Sequence, residues 1–283
     1  MLIVRLLFKN AFRHKFRAFL TILSITIAIL AFVMLRTVIG AWYAGADASS
    51  ASRLVSRNAV SIIFPLPLSY KDRIQQIDGV RLVSYGNWFG GIYIDEKNFF
   101  ANFAVEPKTY LDLYPEYVLA PKERNAFLKD RKAFAAGKKL AAKYGWKIGD
   151  IVTLRGTIYP GNWDFILRAI YHGKTDSVDE TQFFFHWAYL NETMKKTAPS
   201  RADEVGFYMI GVDNPDLSTS ISAAIDKSFK NSWAETLTET EKAFQQGFIA
   251  MSGAIITAIE TVSFVVIFIM LAVVANTMAM TTR

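Results

Sequence analysis

The stretch FLTILSITIAILAFVML, from Phe19 to Leu35, contains no charged residue, no proline and no glycine. A helix needs roughly 20 mostly apolar residues to cross the hydrocarbon core of a bilayer. The mostly apolar residues that continue to Tyr43 supply the remaining length. Trp42 and Tyr43 lie where an aromatic belt is expected at the far membrane interface. We therefore predict a transmembrane helix over residues 19–43.

Basic residues precede this stretch, and the first acidic residue of the chain is Asp47. The basic residues are Arg5, Lys9, Arg13, Lys15 and Arg17. Such a flank stays in the cytoplasm under the positive-inside bias, so the residues after Tyr43 are expected on the opposite side. Apolar and basic side chains alternate at near-helical spacing, which predicts a cytoplasmic amphipathic helix over residues 1–18. A disordered basic leader is the alternative.

Two other interpretations of the apolar stretch stay open. A cleaved signal peptide has a short basic lead and an apolar region of about 7 to 15 residues. Both segments are longer here. A buried core helix is also conceivable, although such a helix in a globular protein usually has a polar face. Phe19 to Leu35 has none.

The composition suits a large water-exposed domain with few membrane spans. Of the 283 residues 52% are hydrophobic, and a net charge of +7 comes from 32 basic and 25 acidic residues. Because the basic residues before the first span account for much of that excess, the rest of the chain is nearly neutral. This argues against a nucleic-acid partner. There is no cysteine, which excludes disulfides, thiolate metal sites and cysteine nucleophiles.

The C-terminal residues predict a second span. No proline occurs after Thr238, and Glu260 is the only charged residue between Lys242 and Arg283. We predict one helix over residues 239–283, a stalk that continues into transmembrane helix 2. An ionisable residue inside a span is a candidate functional residue, so Glu260 either couples motion or lies at the outer interface.

Residues 44–238 are expected to form a periplasmic α+β domain, either as a single domain or with an inserted subdomain at about residues 105–199. Apolar runs bounded by proline and glycine predict strands, and 3.6-residue spacing predicts helices. The predicted strands include residues 59–68, 80–94 as a pair, 183–190, 204–212 and 233–237. The predicted helices include residues 70–77, 134–144 and 217–229.

Several segments are similar to one family of membrane proteins. They are NAFRHKFRAFLTILSI at residues 10–25, GKKLA at 137–141 with Gly145, IGDIVTL at 148–154, the strand at 164–171, and Asn276-Thr277-Met278 with Thr281-Thr282-Arg283. Together they resemble the N-terminus, the periplasmic core domain and the end of the second span of FtsX-like and MacB-like ABC transporter permeases. The Gly149-Asp150 turn is the most specific of these features.

The resemblance implies a MacB-like periplasmic core in a multi-pass protein of the bacterial inner membrane. It also implies mechanotransmission, in which a separate cytoplasmic ABC ATPase drives the helices and the periplasmic domain moves. The implied cargo is a lipoprotein, lipid, peptide or drug, and the implied further partners are a second permease, as homodimer or heterodimer, and a periplasmic adaptor or lipoprotein. Such permeases usually have four spans, so two spans are expected to be part of a longer or a split permease.

No catalytic, cofactor-binding or metal site is predicted. Residues 135–139, AAGKK, lack the first glycine and the Ser/Thr of a phosphate-binding loop. ATP hydrolysis is therefore expected from a partner, and Lys138 and Lys139 are expected on a solvated helix face. One segment is rich in potential ligands but matches no metal-ligand spacing. It contains His172, Asp176, Asp179, Glu180 and His186.

The aromatic run from Phe183 to Trp187 permits two interpretations. It is either a strand buried on both faces, or a strand with one face open to a partner or an amphiphilic substrate. At the level of the whole chain, the alternative to a permease is a two-span receptor with a ligand-sensing periplasmic domain. A membrane-anchored enzyme is a third class, for which no site is visible.

Overall fold

The computed structural model describes residues 15–47, 50, 52–251 and 253–281. These residues form two units, one that holds both terminal helices and one that comprises Gly45–Gln245. Most of the amphipathic helix predicted over residues 1–18 lies outside the described residues. Residues 15–18 belong to the first helix.

The helices and strands are numbered in chain order. The helices are α1 Lys15–Asp47, α2 Tyr70–Gln75, α3 Pro107–Leu113, α4 Pro121–Lys129, α5 Lys138–Tyr144, α6 Trp187–Thr197, α7 Ser218–Ser228, α8 Glu241–Met251 and α9 Gly253–Thr281. The strands are β1 Arg53–Asn58, β2 Leu66–Pro67, β3 Val80–Trp88, β4 Gly91–Ile92, β5 Asn102–Val105, β6 Tyr117–Val118, β7 Ala133–Gly137, β8 Ile151–Gly156, β9 Gly161–Gly173, β10 Phe183–His186, β11 Glu204–Val205, β12 Phe207–Val212 and β13 Thr236–Thr240.

Helix α1 contains the predicted first span. Its segment Ala18–Thr37 has a mean hydropathy of 2.7 and none of it is buried, so its length and composition suffice to cross a membrane. The hydroxyl of Thr26 donates to the Ile22 carbonyl within the helix, which satisfies a polar group in an apolar setting. In α9 the apolar segment Thr257–Ala272 is shorter, and the second span stays a prediction.

The Gly45–Gln245 unit is built on one 11-stranded mixed sheet. The strand order is β13-β1-β12-β3-β5-β10-β7-β9-β8-β4, with β6 paired to β9. Strand β10 lies in the middle, parallel to β5 and antiparallel to β7. The strands from residues 105–199 belong to this same sheet as β1 and β12, and the subdomain over those residues stays a prediction.

Both faces of the sheet are covered by apolar side chains. Because alternate residues of a strand point to opposite faces, Phe183 and Phe185 pack into the larger core, and Phe184 packs into a second core with Tyr110 and Tyr171. All three phenylalanines are at most 2% exposed. The interpretation of this run as a strand buried on both faces is confirmed for Phe183–His186.

The predicted strand at residues 59–68 is wrong over residues 59–65, and only Leu66–Pro67 form a strand, β2, which pairs with β11. The strand that enters the sheet is β1, Arg53–Asn58, and residues 59–65 form a loop. The Asn58 side chain accepts a hydrogen bond from the Val60 N–H and donates to the Pro65 carbonyl, which closes the loop. Proline cannot donate to a strand ladder, so the apolar run cannot continue as a central strand.

Two further predictions misplace the boundary between a strand and a helix. Residues 134–137 are not helical but belong to β7, and only Lys138–Tyr144 forms the helix. Gly137 lies against the Glu180 backbone, where a Cβ would clash with the Glu180 carbonyl oxygen. Residues 187–190 are not strand but begin α6, which buries Trp187, Leu190 and Met194 at helical spacing.

Other elements agree with the predictions in position more than in extent. The helices at 70–77 and 217–229 are observed as α2 and α7, and the strand at 204–212 as β11 and β12. Residues 80–94 are predicted to form two strands that pair with each other. The two strands are observed as β3 and β4, but β4 pairs with β8 and not with β3. The strand expected at 233–237 is Thr236–Thr240, so the stalk helix predicted from residue 239 begins at Glu241.

Candidate functional site

A buried charged cluster lies where the chain enters and leaves the domain. Arg53 is the first residue of β1, which follows α1 in the chain, and Glu241 is the first residue of α8, which precedes α9. We call Arg53, Glu116, Glu241 and Tyr114 the Arg53 cluster. Sequence reasoning did not select any of these four residues, because Arg53 and Glu241 are 188 positions apart.

The guanidinium of Arg53 uses each of its nitrogens. Its Nε donates to Glu241 Oε2 at 2.7 Å, its Nη2 donates to Glu116 Oε1 at 2.6 Å, and its Nη1 donates to the Leu113 carbonyl at 3.0 Å. Leu113 ends helix α3, so that carbonyl is one that no helical N–H can satisfy. The single side chain thereby joins β1, the end of α3 and the start of α8.

Tyr114 completes the site from the other side of the ion pair. Its hydroxyl donates to Glu241 Oε1 at 2.8 Å, and the Arg53 guanidinium carbon lies 4.1 Å from the centre of its ring. Tyr110 and Tyr117 pack on this ring, with centroids at 4.6 Å and 5.3 Å. The cation is therefore held by two carboxylates, one carbonyl and an aromatic face.

Water is largely excluded from the ion pair, since the side chains of Arg53 and Glu241 are 7% and 8% exposed. Burial is the largest influence on the pKa of Arg53 and lowers it, but the charge of Glu241, the Tyr114 hydroxyl and the hydrogen bonds to Glu116 and Glu241 together outweigh burial and raise the pKa. Burial and then the charge of Glu241 raise the pKa of the Tyr114 hydroxyl well above its usual value. The Arg53 guanidinium and the Tyr114 phenol thus keep their protons throughout the physiological pH range.

The residues weighed from sequence do not come together in such a site. Lys138 and Lys139 are exposed at the start of α5, as expected of a solvated helix face. Among the residues that the structure describes, no group of three His, Asp or Glu side chains could hold a metal ion. The side chain of Glu260 lies outside the described part of the chain.

Three of the potential ligands at residues 172–186 have structural partners instead. The Asp179 carboxylate accepts the Thr181 N–H, and the Glu180 carboxylate accepts the Gly173 N–H. The Nε2 of His186, 6% exposed, lies 2.7 Å from the Phe127 carbonyl. A carbonyl only accepts hydrogen bonds, so Nε2 carries the proton of a neutral imidazole.

Replacing Arg53 by Met should destabilise the protein by about 3 to 5 kcal/mol, because the buried Glu241 carboxylate loses its cation. The double variant R53M/E241L should lose less stability than R53M. Replacement of a buried ion pair by apolar side chains often changes the free energy of unfolding little. The measurement is denaturant unfolding of the full chain in detergent.

The exposed pair Arg155 and Glu96, with N–O distance 3.8 Å and side chains 57% and 84% exposed, provides the control. R155M should change the free energy of unfolding by at most about 1 kcal/mol. If the double variant were less stable than R53M, charge compensation could not be the main interaction that stabilises the Arg53 cluster.

Burial lowers the pKa of His186 from 6.5. The unfolded chain therefore binds a proton that the folded chain does not, and stability should fall as the pH drops below about 6.5. In H186Q, which keeps a donor for the Phe127 carbonyl, this part of the pH dependence should be absent. Thermal unfolding of the full chain from pH 7.5 to pH 5 measures it. H172Q, at an exposed position, should keep the wild-type slope.

Comparison with known proteins supports the fold. No protein-family profile and no curated protein sequence matches the chain. Among solved structures, the periplasmic region of MacB from Actinobacillus actinomycetemcomitans superposes with a TM-score of 0.50 at 8% identity, over 70% of this chain and 92% of that one. The extracellular domain of the noncanonic ABC-type transporter YknZ from Gram-positive bacteria has a TM-score of 0.46 at 13% identity, over 66% of this chain and 98% of that one.

At these identities the likeness concerns the fold and not the function. The comparison covers a mixed α+β domain that follows one long apolar helix in this chain. The predicted MacB-like periplasmic core fold is therefore confirmed, and the Gly45–Gln245 unit has the fold of the MacB periplasmic region.

Proposed function

We propose that the chain is the permease subunit of an ABC-type transporter that works by mechanotransmission. In this proposal α1 and α9 cross the bacterial inner membrane with the N-terminus in the cytoplasm. A separate cytoplasmic ATPase hydrolyses ATP, and the periplasmic domain moves a lipoprotein, lipid, peptide or drug. The apolar helix α1, the MacB-like fold and the resemblance of the sequence ends support this assignment.

The observation that carries the proposal is the Arg53 cluster. A force applied through the helices reaches the domain through β1 and α8, which Arg53 and Glu241 join directly. The same guanidinium holds the end of α3 through the Leu113 carbonyl. Displacement of α8 would therefore move β1 and α3 with it, because the buried ion pair cannot open without leaving a charge unpaired.

The proposed transporter includes two further partners besides the ATPase. A second permease, identical or homologous, would pair with this one, and a periplasmic adaptor or lipoprotein would receive the movement.

The alternative function, a two-span receptor, would instead pass a ligand signal to a cytoplasmic signalling protein. Purification of the tagged full-length protein from its host membrane separates the two functions, because a permease should retain an ATPase subunit with a phosphate-binding loop.

Movement can then be measured on that purified complex in proteoliposomes. The chain has no cysteine, so K174C at an exposed position accepts a single dye, and a second dye is placed on the lipid headgroups. Energy transfer should change when ATP is added. In R53M/E241L the ATPase should still bind, but the change should fall at least about tenfold.

R155M in the same background is the control and should respond as the unmutated protein does. Two results would overturn the proposal. One is a folded full-length protein that retains no ATPase from its host membrane. The other is an R53M/E241L complex with an unchanged ATP response, which would remove the Arg53 cluster from the coupling path.

A further inference from the structure

Five apolar side chains project from two adjacent loops of the Gly45–Gln245 unit. We call them the apolar tip: Val60 (81% exposed), Ile62 (47%), Ile63 (85%), Phe64 (53%) and Trp233 (81%). The two rings alone expose roughly 300 Å². Contiguous apolar patches larger than a few hundred Å² on a folded protein mark interaction sites.

Hydrogen bonds hold both loops in place at their base. The Ala59 N–H donates to the Glu235 carbonyl at 2.8 Å and joins the loops. The Phe64 N–H donates to the Ser61 carbonyl at 3.1 Å, within the loop that Asn58 closes. The apolar side chains are therefore exposed on loops whose backbone is hydrogen-bonded.

The apolar tip lies at the end of the domain opposite the Arg53 cluster. Strand β1 runs from Arg53 to Asn58, and β13 returns beside it from Thr236 to Thr240. Six residues of strand span about 20 Å. The tip is thus separated by the length of β1 from the points where the chain enters and leaves the domain.

Three cations lie close to the loop that carries Trp233. Lys227 and Lys230 are exposed at the end of α7, and Arg73 is exposed where its guanidinium donates to the Ser228 carbonyl. The acidic neighbours are Asp72, Asp226 and Glu235, of which the Asp226 carboxylate accepts the Thr236 hydroxyl and the Glu235 carboxylate accepts the Asn231 N–H. Apolar side chains that include a tryptophan, next to exposed cations, match the interface of an anionic bilayer.

We infer that the apolar tip inserts into the interfacial region of an anionic lipid bilayer. The four aliphatic and phenyl side chains enter the acyl boundary, and Trp233 lies at the level of the headgroups. Lys227, Lys230 and Arg73 face the lipid phosphates. The tip then contacts a lipid surface independently of the ATPase, so the inference goes beyond the proposed function.

Capture of lipid vesicles tests this contact on the full-length protein. The protein is placed in nanodiscs of phosphatidylcholine, and fluorescent vesicles of equimolar phosphatidylcholine and phosphatidylglycerol are added. We expect the wild-type protein to capture these vesicles. Vesicles of phosphatidylcholine alone should be captured at least about tenfold less, because they offer no net negative charge to Lys227, Lys230 and Arg73.

The variants I63S and W233S should each lower capture at least about tenfold, because a lost apolar insertion is worth more than 1.4 kcal/mol. The matched control is I94S. Ile94 is 78% exposed on another loop, and its replacement should leave capture unchanged. Thermal unfolding of each variant identifies any loss of folding.

Three results would overturn the inference: no capture by the wild-type protein, equal capture of both kinds of vesicle, or equal loss in I94S and I63S. If the tip instead binds a protein, the wild-type protein gives the first of these results. None of the three outcomes depends on ATP, so this inference and the proposed function can fail separately.

Discussion

The arginine at the start of β1 keeps its charge in a place where water is largely absent, and the arrangement of its neighbours follows from that constraint. An unpaired charge in such a place would be strongly unfavourable. Arg53 is compensated by Glu241, Glu116, the Leu113 carbonyl and the ring of Tyr114. These partners come from two parts of the chain that are distant from Arg53, residues 113–116 and residue 241, so the folded domain depends on their convergence.

The surrounding core gives this convergence its rigidity. The Tyr114 ring that contacts Arg53 stacks on Tyr117, which lies against Phe184 of the central strand β10. Phe184 belongs to one core while its neighbours Phe183 and Phe185 belong to the other. Close-packed aromatic side chains transmit displacement with little deformation. The chain's entry and exit segments are therefore connected to the middle of the sheet.

Apolar residues are buried in the water-exposed domain but exposed on the first helix. In the sheet, the large aromatic residues are buried on both faces, while α1 exposes Phe19, Leu30 and Met34 around its surface. A helix of that kind needs an apolar solvent. The apolar tip is a third case, since its side chains are exposed from loops that hydrogen bonds hold in one conformation.

The sequence by itself determined the long apolar helix, the alternation of strands and helices, and a MacB-like core. Each of these follows from local composition, from local periodicity, or from segments that resemble the family. Boundaries were less predictable. Residues 134–137 have helical spacing but form a strand, because only an extended segment fits between β9 and β10. Residues 187–190 continue an aromatic run but turn helical, since α6 buries them on one face.

Tertiary structure alone decided the charged site and the exposed tip. Local patterns contain no information about a partner 188 positions away, so neither Arg53 nor Glu241 differs from a solvated charge in the sequence. Residues 59–64 read as a buried strand because they are apolar. They do not join the sheet, because β1 ends at Asn58. The Asn58 side chain donates to the Pro65 carbonyl and so closes the following loop. Pairing and packing between distant segments decide which apolar and charged residues are buried, and neither is encoded within a short window of sequence.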